Sequence, residues 1–304
     1  MSEQVLYVIP VFNAAPWLRA SVRSILDQNW PALSLLCIDD GSTDGSWALL
    51  QELAAAEPRL EVRRQANTGP GVIMNSAIAL AQERGIAFLG RMDADDLCGP
   101  ERTALQMAYL EAHPSCAACS CPSTYFTDAR GHAGFCPVHE DSAQIRDELL
   151  RGGHGMIQGG AIFRVSALAA VGGWRPVHTP AEDIDLFLRL SERFPLGNIA
   201  ACLYRIRIHH DSYSLRSLLN TRLFNGYYLH LAALRAVGAP EIPYQDYAAG
   251  LGWWRRLNIR RVTAAVGAYY RWIIDRSLPH LVLACALDPW RLVNRLRKRR
   301  VAAS

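Results

Sequence analysis

Over its first hundred residues the chain alternates short apolar runs with stretches of helical periodicity. No other feature of its 304 residues limits the fold as much. Residues 5–9 (Val-Leu-Tyr-Val-Ile), closed by Pro10, predict a buried strand. A helix is expected over 16–29, with Pro16 in its first turn and Trp17, Leu18, Val22, Ile25 and Leu26 at helical spacing. A strand over 33–38, a helix over 44–57, a strand near 60–64, a helix over 70–84 and a strand over 86–91 continue the series. Such alternation predicts an α/β fold with a doubly wound sheet and right-handed crossovers. In these sheets ligands sit outside the carboxyl ends of the strands. Three strands run directly into loops that carry chemistry: Pro10-Val11-Phe12, Asp39-Asp40 and Asp93-Ala94-Asp95-Asp96.

Half the residues are hydrophobic and a fifth are charged, which suits a sizeable core and excludes disorder. The opening Met1-Ser2-Glu3-Gln4-Val5 lacks the basic and long apolar regions of a secretory signal, so a cytosolic catalytic part is expected. The eight cysteines are then expected to be reduced, small core residues. Cys116, Cys119, Cys121 and Cys136, with His132 and His139 nearby, leave a zinc site open. They contain one Cys-x-x-Cys pair, without the second knuckle that would make the spacing specific.

The loop after the first strand is Pro-Val-Phe-Asn and lacks the glycines of a dinucleotide site. No phosphate-binding Gly-x-x-x-x-Gly-Lys loop exists, and the only lysine is Lys298. A divalent cation held by carboxylates is the natural substitute for handling phosphates. Asp93 and Asp95 point the same way if the strand persists, so one can bind metal while the other approaches a ribose or a metal-bound water. The competing reading of this cluster is a solvated acidic turn. Asp40-x-Ser42-x-Asp44-Gly45 is a near-match to a calcium loop, but its twelfth position is Gln51 and a strand precedes it. A helix over 182–193 opens with Glu182, Asp183 and Asp185, where the helix dipole favours acids.

Taken in order, several segments resemble glycosyltransferase family 2. They are Val8-Ile9-Pro10-Val11-Phe12-Asn13, Ile38-Asp39-Asp40-Gly41-Ser42-Thr43-Asp44, Asn67-Thr68-Gly69, Asn75, Met92-Asp93-Ala94-Asp95-Asp96, Gly172-Gly173-Trp174 and Glu182-Asp183-Ile184-Asp185-Leu186. The resemblance covers about residues 5–214 and implies the GT-A fold, a Rossmann-like doubly wound mixed sheet. It implies a metal-dependent, inverting hexosyl transfer from a nucleotide sugar, with Mn²⁺ or Mg²⁺. Pro10, Phe12 and Asp40 would border the nucleobase, and Asn13, Asn67, Gly69 and Asn75 would complete the nucleotide loops. Asp93 would lie near the ribose, Asp95 on the metal, and Asp183 would be the catalytic base. Glu182, His154 and Trp174 would face the acceptor, with a plain loop histidine as the alternative for His154. Arg207-Ile208-His209-His210-Asp211-Ser212-Tyr213-Ser214 resembles a late family segment whose histidine completes the metal shell. His209 aligns with that ligand, and His210 competes for the role. Met74 stands where the family often has an arginine; UDP is favoured, with the base left open.

From residue 252 onward twelve Arg or Lys face two acids, a charge of +10 within a total of +4, so the rest of the chain carries −6. Trp253, Trp254, Tyr269, Tyr270, Trp272 and Trp290 interleave with these arginines. Arg271, Asp275, Arg276 and Pro279 interrupt the apolar stretch 262–287, which argues against a spanning helix. Either amphipathic helices on an anionic membrane surface or a helical lid with a solvated basic end fits this composition. No nucleic-acid module is recognisable. The expected organisation is a catalytic domain over 1–214, with a nucleotide-sugar half over 1–100 and an acceptor half over 101–214, and a basic, aromatic helical region over 215–304. The expected activity is transfer to a hydroxyl of a glycan or lipid-linked acceptor in surface polysaccharide assembly, at the inner face of the cytoplasmic membrane. The rivals are a polyprenyl-phosphate sugar synthase and an inactive sugar-nucleotide binding protein.

Overall fold

A computed structural model describes residues 3–129, 131–175 and 180–288. They group into two compact units, one of residues 3–123, 137–175 and 186–206, the other of 124–129, 131–136, 180–185 and 207–288. The early elements form in the expected order: β1 (Val5–Val11), α1 (Ala15–Leu26), β2 (Leu33–Asp39), α2 (Ser46–Ala56), β3 (Leu60–Arg64), α3 (Pro70–Glu83) and β4 (Phe88–Arg91). Helix α1 stops three residues earlier than its pattern predicts, because Gln28 turns inward. Its Nε2 donates to the carbonyls of Ser24 and Gly99, at 2.9 and 2.7 Å, and its Oε1 accepts from Thr103.

Next come β5 (Leu97–Cys98), α4 (Arg102–Ala112), β6 (Ala118–Ser120), β7 (Ser123–Thr127), β8 (Gly131–Cys136), α5 (Ser142–Leu150), β9 (Ile162–Arg164) and α6 (Val165–Ala170). Helix α7 (Glu182–Ser191), β10 (Leu196–Asn198) and β11 (Tyr204–Arg207) follow.

The first unit is built on a seven-stranded sheet of order β10-β6-β9-β4-β1-β2-β3. Strand β1 is parallel to both β2 and β4, with Val8 opposite Leu36 on one side and Arg91 on the other. Strand β9 runs antiparallel to β4 and β6, so the sheet is mixed. Burial on both faces explains why β1 reads as an unbroken apolar run. Tyr7 crosses Gly90 of β4, where a β-carbon would overlap its ring. The chain winds outward through β2 and β3, then returns to β4 on the other side of β1. The order therefore reverses at the carboxyl ends of β1 and β4, where an open α/β sheet holds its ligand.

The second unit contains β7 from Thr124 onward, β8 and the helices α8 (Tyr213–Arg216), α9 (Leu218–Ala236), α10 (Tyr244–Ala249), α11 (Trp253–Asp275) and α12 (Leu278–Leu287). Its core is Ile208, Ala268, Tyr269, Ile273 and Ala284, with Tyr125 and Ala133 packed against them. Segment 124–136, which the sequence pattern assigns to the acceptor half, thus packs with the C-terminal helices. Among the described residues no helix is long and apolar enough to cross a membrane. Trp290 and the basic positions 291, 295 and 297–300 lie outside the described residues.

Candidate active site

The loops after β1 and β2 brace each other. Asn13 adopts a left-handed conformation, φ 50°, and donates its backbone N–H to Ser42 Oγ at 2.9 Å. Its Oδ1 accepts from the Thr43 N–H at 2.8 Å. Asp44 accepts from the backbone N–H of Ser46 at 2.9 Å and of Ala15 at 3.1 Å, steadying the starts of α2 and α1. Partial burial pushes its carboxyl up, but the hydrogen bonds from Ser46 and Ala15 win and hold it below the usual range. This carboxylate serves helix ends, which accounts for the calcium-loop near-match. Phe12 is left 52% exposed beside half-buried Pro10, an open aromatic face at the mouth of the sheet.

Asp40 is buried and organises the loop after β3. Its carboxylate accepts from Gln65 Nε2 at 2.9 Å, the Thr68 N–H at 2.9 Å and the Gly69 N–H at 2.8 Å. Gly69, at φ 88°, occupies backbone space that favours glycine, immediately before Pro70 opens α3. Asn67 is exposed on the same loop. Beside Asp40, the buried Asp39 pairs with Arg64 at 3.0 Å.

The acidic cluster forms a tight turn between β4 and β5, closed by the Asp96 N–H on the Asp93 carbonyl at 3.3 Å. Arg91, buried at the end of β4, pairs with Asp93 at 3.0 Å. Ser21 of α1 lies 2.8 Å from the Ala94 carbonyl and 2.6 Å from that of Asp96. On the other side the Tyr204 hydroxyl donates to Asp96 Oδ2 at 2.6 Å. Burial, and then the charge of Asp96, raises the Tyr204 phenol well above its usual value, so it stays a donor. Asp93 and Asp95 are half-buried, whereas Asp96 is buried. Hard carboxylate oxygens at a strand end suit Mg²⁺ or Mn²⁺. Among the described residues no group of three or more His, Cys, Asp or Glu could enclose a cation. Asp93 and Asp95, the half-buried carboxylates of the turn, are the ones that would be offered to such a cation.

Two expected site residues face inward. Trp174 is only 1% exposed and sits edge-on to Phe163, 5.7 Å between ring centres. The indole packs in the core of the structure. Asn75 clamps the Trp174 backbone, donating to its carbonyl at 2.7 Å and accepting its N–H at 2.8 Å. His154 is exposed in a loop anchored by Asn198, which donates to the Gly155 carbonyl at 3.0 Å. None of the eight cysteines forms a disulfide; burial pushes Cys121 up to about 11 and raises Cys119 further. Among the described residues no group of three or more His, Cys, Asp or Glu is placed to hold a metal ion, so the zinc reading finds no support there.

Asp183, Glu182, His209 and His210 belong to the second unit. Asp183 is half-buried in the first turn of α7, its Oδ1 2.9 Å from the Ile184 N–H. Asp185 is buried. The Tyr213 phenol is raised by burial and then by the charge of Glu182. His209 is held in a turn in which its N–H donates to Ser212 Oγ at 3.1 Å and its carbonyl accepts from the Ser212 N–H at 3.1 Å. His210 pairs with Asp275 of α11 at 3.0 Å, which engages the competing histidine elsewhere.

A mixed α/β sheet whose strand order reverses beside an acidic turn gives an open sheet of the GT-A type, with a loop cluster at the switch point. The sequence pattern described as Glycosyl transferase family 2 matches residues 7–172, more than half of the chain. The chain belongs to glycosyltransferase family 2. It is 28% identical over 251 residues to EpsE of Bacillus subtilis (strain 168), named as a glycosyltransferase; the match covers 80% of this chain and 85% of EpsE. It is also 28% identical to the chondroitin synthase of Escherichia coli, over 69% of this chain but only 30% of that larger protein. In fold it resembles the mannosyltransferase PcManGT of Pyrobaculum calidifontis, solved with GDP-Man and Mn²⁺. The TM-score is 0.59 at 18% identity, with 100% of this chain and 86% of that one covered.

Proposed function

We propose that this glycosyltransferase moves a sugar from a nucleoside diphosphate sugar, UDP-sugars first, to a hydroxyl of a glycan or lipid-linked acceptor, with inversion at the anomeric carbon. The observation that carries the reading is the acidic turn at the point where the strand order reverses, flanked by the exposed ring of Phe12. Phe12 and Pro10 offer apolar surface to a base, Asp93 serves the ribose side, and Asp95 would be the carboxylate ligand of a divalent cation, with His209 carried over from the family pattern as the histidine ligand. Bound there, Mn²⁺ or Mg²⁺ supplies Lewis-acid stabilisation of the charge that develops on the leaving diphosphate. Asp183 takes the acceptor proton as the hydroxyl oxygen bonds to the anomeric carbon and the bond to the diphosphate oxygen breaks. Glu182 and His154 line the acceptor side. The likeness to chondroitin synthase supports an acceptor that is a growing polysaccharide.

The C-terminal helices, on this reading, rest on an anionic membrane surface on the cytoplasmic side. Trp253 and Trp254 are 63% and 67% exposed at the start of α11. They are interleaved with Arg255, Arg256, Arg260 and Arg261, with no acid before Asp275. Exposed Leu278 and Val282 lie on α12. Exposed tryptophans among arginines match the polar–apolar boundary of a bilayer.

Thermal unfolding with UDP, GDP, dTDP and their sugars, each with Mn²⁺ or EDTA, tests the donor assignment. A rise in midpoint with one nucleotide family, larger with Mn²⁺, is expected. No shift with any nucleotide would overturn it, and binding without turnover would favour the inactive binding protein.

A further inference from the structure

We propose that Tyr204 is a positioning residue that holds the acidic turn 93–96 in the shape that receives the donor's diphosphate and its cation. Arg102 and Gly159 act as its supports. The inference rests on the donor reading above and deepens it. Tyr204 opens β11 opposite Cys98, so its strand is paired with the one that leaves the turn. The side chain is buried, and its single hydroxyl spans the turn: it donates to Asp96 Oδ2 at 2.6 Å and accepts the Asp93 N–H at 3.4 Å. Neither contact uses the Asp95 carboxylate.

The ring is fixed from below. The fully buried guanidinium of Arg102 lies over Tyr204 at 5.5 Å and over Tyr7 at 5.2 Å, and its Nη1 donates to the Gly159 carbonyl at 3.1 Å. Gly159 closes the arrangement from the side. A β-carbon there would overlap the Tyr204 hydroxyl and stand 2.8 Å from Asp93 Oδ2, so only glycine lets the hydroxyl and the carboxylate approach. One buried hydroxyl, held by a cation–π contact and a bare backbone, thus sets both ends of a four-residue turn. Outer partners of metal-binding carboxylates act by fixing their orientation, and their loss typically weakens metal binding by about 10–100-fold.

Tyr204→Phe removes the hydroxyl and keeps the ring. The test is calorimetric titration of the full chain with whichever of UDP, GDP and dTDP the wild type binds, over a range of Mn²⁺ concentrations. The half-saturating Mn²⁺ should rise about tenfold or more, and saturating Mn²⁺ should restore nucleotide affinity to within about twofold. Gly159→Ala, which displaces the hydroxyl without deleting it, should give the same pattern and takes over the test if Tyr204→Phe does not fold. A half-saturation within twofold of wild type would overturn the proposal, as would an affinity loss that saturating Mn²⁺ does not restore, since a merely structural role is not rescued by metal. Failure of the wild type to bind any of the three nucleotides would overturn the donor reading itself, and the positioning role with it.

Discussion

Asp40 shows how a residue can be recognised by its motif and still have its local task hidden. The motif places it beside a base, while its carboxylate accepts two backbone N–H groups and the Gln65 amide. Replacing it by Asn turns one acceptor edge into a donor facing donors. Asp40→Asn should lower stability by about 2 kcal/mol, measured by urea unfolding, because buried amides lose charge-assisted partners. Unchanged stability would show that the loop holds without it. Trp174 shows a burial its motif does not announce. The family resemblance implies only that it faces the acceptor, whereas its ring is buried and Asn75, about a hundred positions away, clamps its backbone. Ser21, Arg102, Gly159 and Tyr204 left no local signal for a related reason. Their partners lie across large sequence separations, and a single sequence does not pair them. Arg91 did leave one: a cation ending an apolar strand, two positions before Asp93, invites a partner.

At the scale of elements the sequence was most readable where burial is simplest. Strands β1, β2 and β4 are apolar on both faces and helices α1, α3 and α7 carry clear helical spacing, so their order and the switch point could be anticipated. The segment 124–136 could not, since its short strands are mostly exposed or half-buried and carry no alternation. Asp44 ties two elements together from one loop. Asp44→Ala should cost about 1 kcal/mol at neutral pH through the lost acceptors at the starts of α1 and α2. The wild-type carboxyl is depressed, so its contribution is fully present above the usual carboxyl range, near pH 4, and is lost as pH falls through the lowered value. The gap in unfolding midpoint between wild type and Asp44→Ala should therefore narrow between pH 5 and pH 2. A gap independent of pH would contradict the assignment.

For the whole molecule, family membership follows from residues 7–172, whereas the C-terminal helices lie beyond that match and carry their own chemistry. Their composition leaves a membrane surface and a lid both open, and Trp253 and Trp254 are exposed, the basis of the proposed membrane contact. Sedimentation with vesicles of mixed phosphatidylcholine and phosphatidylglycerol should carry the protein down at low salt. Trp253→Ser with Trp254→Ser should leave most of it in the supernatant while nucleotide binding persists. Equal sedimentation of the variant would contradict the role given to the tryptophans, and none by wild type would favour the lid. The central claim is that Asp183 activates the acceptor, while the loops after β1, β2 and β4 hold the donor. The most direct measurement is release of nucleoside diphosphate from the bound nucleotide sugar with Mn²⁺, in wild type and in Asp183→Asn. The account predicts turnover by wild type and a loss of at least about a hundredfold in Asp183→Asn, with nucleotide affinity unchanged within about twofold. Turnover by Asp183→Asn at the wild-type rate would contradict it.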